Sequence, residues 1–269
     1  MKPGFIGVVG GLGRMGSFLV RLLTEAGYQV CVADAEAPST SWIDLARCQV
    51  IFIAVPIPAV DKVARRIGPL TRPDGVVIDI CSLKEGPINS MLDHCRGEVI
   101  GSHPLFGPDI ASLENQLVFV YPARIKKWLS WFSAFLENRG AQVVEIEPQE
   151  HDQLMARVQV LRHVLLLSFG LCLRQLDFDM GRHLPLSGSW FSRLVEMASR
   201  QLAQSPELYA DLAIHNPATG RVLEGLSEAV SEICRAFALR DRGAIIDLIA
   251  EVKAYLPPRT EVGTDNQAG

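Results

Sequence analysis

No two cysteines stand in CxxC spacing. The six, at positions 31, 48, 81, 95, 172 and 234, are scattered through 269 residues, which removes a zinc ribbon or a disulfide framework from consideration and fits reduced thiols. Excess charge of one sign is lacking too. With 26 Lys and Arg against 30 Asp and Glu, a formal charge of −4 and no charged run, the chain has no basic field to hold nucleic acid or an acidic membrane. The longest apolar run, residues 164–173, is too short to span a bilayer, and MKPGFIGVVGG enters glycine punctuation without a cleavable signal pattern. A cytoplasmic protein with a small-molecule ligand, no metal and no membrane or nucleic-acid partner is expected.

What is present begins with alternation. Apolar, β-branched runs at residues 5–9, 29–33, 49–55, 75–80 and 98–101 are separated by amphipathic stretches. Their continuous apolarity is that of strands covered on both faces, which predicts an α/β Rossmann-type parallel sheet. Runs at 117–121 and 141–147, flanking a helical stretch near 125–138, extend that sheet. From about Gln149 leucine, alanine, glutamate and arginine take over at helical spacing, so an all-helical C-terminal domain follows. The expected division is 1–148 for dinucleotide binding, 149–257 for a helical substrate and dimerisation domain, and a polar tail at 258–269.

The stretch GGLGRMG at 10–16 puts Gly11, Gly13 and Gly16 in GxGxxG spacing between a strand and a helix. The three glycines suit a tight turn, close approach of backbone to a pyrophosphate, and close helix–strand packing, with phosphates at the helix N-terminus. Leu12, Arg14 and Met15 lie in the same loop, and Val55 with Pro56 ends the third strand opposite it. Asp34 closes the second strand, where a carboxylate accepts hydrogen bonds from ribose hydroxyls and repels a 2′-phosphate. No arginine follows in DAEAPST, which favours NAD over NADP.

Ligands in open parallel sheets collect beyond the carboxyl ends of the strands. Ser82, after the fourth strand, and His103, after the fifth, are placed to meet there. A serine hydroxyl can fix an imidazole, and a neutral imidazole can take a proton from a substrate hydroxyl as hydride leaves the same carbon. Ser82 by itself reads equally well as a helix cap. Asp152, Gln159 and His163, seven and four apart, share one face of the helix EHDQLMARVQVLRH. His94, His151, His183 and His215 read as structural or exposed.

With these residues in hand, the chain resembles the prephenate dehydrogenases of tyrosine biosynthesis. The carrying segments are GGLGRMG, DICSLKEGPINSML, GSHPLFGPD, EHDQLMARVQVLRH and SRQLAQSPELYAD, in the family's order from about residue 5 to 215. The resemblance implies oxidative decarboxylation of prephenate by NAD to 4-hydroxyphenylpyruvate. It also implies a homodimer formed through the helical domain. It carries the catalytic histidine onto His103, its orienting serine onto Ser82 and the substrate-binding arginine onto Arg200, with Arg193 nearby. His163 and Asp152 match substrate-pocket positions, and Asp109 an acidic gate. The likeness is greatest to the dehydrogenase portion of the enteric bifunctional enzymes. Neither a chorismate mutase bundle nor a regulatory domain has room here, so the dehydrogenase alone is expected.

Three other readings compete. β-Hydroxyacid dehydrogenases share the architecture but use a lysine on the long helix, and lysine is absent from residues 128–252. The same chemistry on arogenate or 4-amino-4-deoxyprephenate would need the same histidine. A dinucleotide-sensing scaffold would have no use for Ser82, His103 and Arg200 together.

Overall fold

The computed structural model describes residues 2–36 and 40–256. The expected tail at 258–269, and residues 37–39 of DAEAPST, lie outside them. Seven strands, β1 (Phe5–Val9), β2 (Gln29–Ala33), β3 (Val50–Ile53), β4 (Val76–Asp79), β5 (Glu98–Pro104), β6 (Leu117–Arg124) and β7 (Gln142–Glu145), form one sheet. Their spatial order is β2-β1-β3-β4-β5-β6-β7. The first five strands are parallel, as their unbroken apolarity predicts.

Two details depart from the sequence reading. β6 runs antiparallel to β5, because residues 105–116 contain no crossover helix and the chain simply doubles back. That pairing also lengthens β5 beyond the apolar run that ends at 101. His103 therefore sits inside the strand, opposite Phe119, rather than in a loop beyond it.

Helices α1 (Arg14–Glu25), α2 (Val60–Ile67), α3 (Glu85–His94) and α4 (Trp128–Glu137) cover the two faces of the sheet. On one face α4 buries Trp128, Trp131, Phe132 and Phe135 against Ile6, Val8 and Phe52. On the other, Val63, Ile67, Ile88 and Met91 cover Val9, Ile51, Ile53 and Val77. Each such side chain contributes roughly 1.5–3 kcal/mol on burial, which makes the sheet a rigid platform for whatever its strand ends present.

Beyond β7 every element among the described residues is helical. A single 28-residue helix, α5 (Pro148–Gln175), is interrupted by a π turn at Ala156–Val160. It is followed by α6 (Gly188–Leu202) and α7 (Pro206–His215). Consecutive apolar residues in α5 are too few to span a bilayer, yet the whole helix is long and apolar enough to cross one by length and composition. Its first turns, however, bury His151 and Asp152 in hydrogen bonds to the sheet domain, a placement that lipid could not satisfy.

The compact units are Met1–Thr219 and Gly220–Gly269. The change from strands to helices thus falls at Pro148, while α5, α6 and α7 remain within the first unit. The second unit, taken by itself, pairs α8 (Thr219–Ala238) with α9 (Arg242–Tyr255). Between them lies an apolar cleft of about 1020 Å³ that includes Ile233, Phe237, Ile249 and Val252.

Candidate active site

The glycine loop joins β1 to α1 by the tightest backbone approach in the domain. Gly10 has a φ of +81°, which only glycine adopts without strain, and a Cβ on Gly16 would collide with the carbonyl oxygen of Gly10. Gly13 is the N-cap of α1, where no side-chain cap and no first-turn carboxylate occupy the free N–H groups. That end of the helix is built to receive an anion.

Asp34 faces the same loop. One oxygen accepts the Leu12 N–H at 3.0 Å and the other the Ala35 N–H at 2.7 Å, so the carboxylate is held in place with lone pairs to spare. A cavity of about 430 Å³ brings Leu12, Gly13, Asp34, Val55 and Pro56 together, as the sequence reading expects. Lys62 and Arg66, from α2, line it as well, with the Arg66 guanidinium 3.6 Å from the centre of the Trp42 ring. Nothing in DAEAPST announces these cations, because they reach the cavity from a separate helix. Gly11 packs against Val32, Met15 lines the apolar layer beneath α1, and Arg14 reaches out of the loop to Asp109 at 2.8 Å. Both members of that ion pair are largely exposed. The residues present fit a dinucleotide.

A second group lies at the carboxyl end of β4 and within β5. Asp79 and Lys84, both fully buried, form an ion pair, and the ammonium also donates to the Ser102 carbonyl at 2.6 Å. Asp79 accepts the Cys81 and Ser102 N–H groups at 3.0 and 3.3 Å. This network ties β4, β5 and the start of α3 into one unit.

His103 stands beside it, 3% exposed. Its Nδ1 is 2.9 Å from Nε2 of His151, whose own Nδ1 is 2.7 Å from Asp152 Oδ1. Asp152 in turn accepts the Lys84 and Glu85 N–H groups at 2.8 and 3.0 Å. Burial, reinforced by His151 and then by Lys84, pushes His103 well below the usual imidazole range. The ring is therefore neutral at pH 7, the state a general base needs.

Three expectations are corrected here. Ser82 does not orient His103 in this arrangement: it is half-buried, and among the described residues no hydrogen bond joins the two. His151 takes that place, because α5 starts against β5 and delivers the imidazole from 48 residues away. Asp152 is not free for substrate, since its carboxylate is 2% exposed and already accepts three hydrogen bonds. His151, read from the sequence as structural or exposed, is hidden there by its separation from His103. The signal present was its adjacency to Asp152 near the N-terminus of an amphipathic helix.

Farther along α5 the π turn breaks the seven-and-four spacing that put Asp152, Gln159 and His163 on one face. Gln159 lies within that turn, and its Oε1 is buried without a partner among the described residues. His163 is half-buried in a cluster from α5, α6 and α7: its ring meets Tyr209 at 4.0 Å, and its Nε2 is 3.2 Å from the Arg162 guanidinium. Arg162 also donates to Gln201 Oε1 at 3.2 Å. Burial, followed by the Arg162 charge, lowers His163 to about 4. Arg200 is not brought to this cluster. Its side chain is 82% exposed and lies 3.8 Å from Glu196 on the same helix, so Arg162 is the cation the fold places beside His163.

Comparison with known proteins falls on the same two regions. A model of the prephenate dehydrogenase nucleotide-binding domain matches residues 22–145, and one of the prephenate dehydrogenase dimerization domain matches 147–250. The T-protein of Haemophilus influenzae is 30% identical over 254 residues, 94% of this chain and 67% of its own length. The T-protein of Enterobacter agglomerans is 32% identical over 92% of this chain and 66% of its own length. The chain thus spans about two thirds of these curated relatives. Among solved structures, Aquifex aeolicus prephenate dehydrogenase with hydroxyphenyl propionate and NAD+ superposes with a TM-score of 0.73 at 18% identity, covering 95% of this chain and 98% of that one. This last likeness is one of fold.

Proposed function

The chain belongs to the prephenate dehydrogenase family of oxidoreductases, and from that premise we propose that it oxidatively decarboxylates prephenate with NAD+, yielding 4-hydroxyphenylpyruvate, carbon dioxide and NADH. The observation that carries the proposal is the buried, neutral imidazole of His103 at the sheet end. The dinucleotide, when bound, supplies the hydride acceptor. Gly13 and the open N-terminus of α1 would hold its phosphates, and Asp34 would accept from the ribose hydroxyls. His103 accepts the proton of the C4 hydroxyl, which becomes acidic as hydride leaves that carbon. Loss of carbon dioxide aromatises the ring and leaves the C4 oxygen as a phenolate, which takes the proton back from His103, so no further acid or base is required. Arg162 and His163 form a polar pair suited to a substrate carboxylate, the guanidinium offering a charged fork.

Purified protein supplied with NAD+ and prephenate is expected to produce NADH and 4-hydroxyphenylpyruvate, with NADP+ a poorer oxidant because Asp34 opposes a 2′-phosphate. Activity confined to arogenate or 4-amino-4-deoxyprephenate, a substrate that names a 24%-identical relative from Streptomyces pristinaespiralis, would replace the substrate while keeping the site.

The working form in this proposal is a homodimer. Leu165, Leu167 and Leu171 on α5, Leu194 and Met197 on α6, and the cleft residues of the second unit are exposed apolar side chains of the kind a partner subunit covers. Light scattering should give twice the 29.5 kDa chain mass at micromolar concentration, and a monomer there would overturn the assembly.

A further inference from the structure

We infer that His151 and Asp152 are positioning residues for His103: together they keep the ring hydrogen on Nδ1 and so reserve Nε2 as the proton acceptor. The inference rests on His103 being the base and follows from counting donors along the chain of contacts. Asp152 is an acceptor only, and its two oxygens are fixed by the Lys84 and Glu85 N–H groups at the start of α3. Its Oδ1, 2.7 Å from His151 Nδ1, therefore demands a hydrogen on that nitrogen. A neutral imidazole with its hydrogen on Nδ1 has a bare Nε2. That bare nitrogen lies 2.9 Å from His103 Nδ1, which must then be the donor. His103 Nε2 has no hydrogen-bond partner among the described residues and is left with its lone pair.

The surroundings make the assignment rigid. His151 is fully buried, its ring packed edge-on against Phe119 at 5.5 Å and against His103 at 5.0 Å. The main-chain oxygen of Asp152 accepts from Asn216 Nδ2 at 2.8 Å, so the helix start cannot turn without breaking a second contact. When His103 takes up a proton, the Asp152 carboxylate sits at the far end of the same hydrogen-bonded line and stabilises the new positive charge. A carboxylate orienting a catalytic imidazole does this directly in hydrolytic triads; here an additional histidine extends its reach.

Nitrogen NMR of histidine-labelled protein at about pH 8, above the ordinary imidazole range, reads the tautomer without substrate or turnover. The expected result is a protonated Nδ1 and a bare Nε2 on His103. The opposite tautomer would overturn the inference even if prephenate proves to be the substrate, whereas inactivity on prephenate would leave the tautomer result standing. Kinetics supply the second measurement. His151→Phe should lower kcat about 10²-fold or more with KM changed less than about threefold. His151→Gln, whose amide can still accept from His103 and donate to Asp152, should recover at least about tenfold of that loss. A raised KM with unchanged kcat would make His151 a substrate contact and refute the positioning role.

Discussion

Replacing His103 with asparagine is expected to lower turnover by ~10²–10⁴ while leaving the affinity for NAD+ near that of the wild-type protein. The asparagine amide occupies nearly the position of imidazole Nδ1, so it can still donate to His151 Nε2 and keep the buried line intact. What disappears is Nε2, the proton acceptor. The glycine loop and Asp34 stand on other strands and do not depend on it. Stopped-flow absorbance and a dinucleotide titration would measure the two quantities separately. Turnover within about threefold of wild type would remove His103 from the mechanism.

The pH profile gives the same claim a sign. The base works when neutral, and burial pushes its protonation well below 6.5, so the rate should hold through neutrality and fall only as pH drops through that lowered range. The His103→Asn variant has no imidazole to protonate there and should lack this acid limb.

Lys84→Met should be the most destabilising single change near the site, at about 3–5 kcal/mol, because it strands the Asp79 carboxylate in a place without water. Burial already pushes Asp79 upward against the pull of the ammonium, and without Lys84 that upward push is opposed only by the Cys81 and Ser102 N–H groups. A carboxylate whose folded-state value is raised favours the folded state at low pH and loses that advantage as pH rises above the unfolded value near ~3.9. The cost of Lys84→Met should therefore be smaller in denaturant titrations at about pH 5 than at about pH 8. Adding Asp79→Asn removes the stranded charge, keeps acceptance from the Cys81 and Ser102 N–H groups, and should restore part of the loss. An unchanged unfolding midpoint in Lys84→Met would mean that the pair contributes nothing to folding.

The elements and the dinucleotide loop were legible because their signals are local. Unbroken Val and Ile runs mark doubly covered strands, GGLGRMG carries its own turn chemistry, and Asp34 is placed simply by ending the strand after it. Helical spacing beyond Gln149 likewise announces helices whatever they pack against. The failures share one cause. The reversal of β6, the strand pairing that draws His103 into β5, and the π turn that moves Gln159 and His163 out of phase all arise from contacts or backbone geometry that no side-chain period encodes.

The amino-acid order by itself determined a sheet, a helical continuation, a dinucleotide loop and one histidine worth suspecting, since each is written within a dozen neighbouring residues. Only the folded chain decided who touches that histidine: His151 rather than Ser82, with Asp152 behind it, Lys84 locked on Asp79, and Arg162 rather than Arg200 beside His163. The reason is physical. A hydrogen bond in a buried site joins groups by distance and direction, and packing α5 against β5 sets both for residues that lie 48 positions apart.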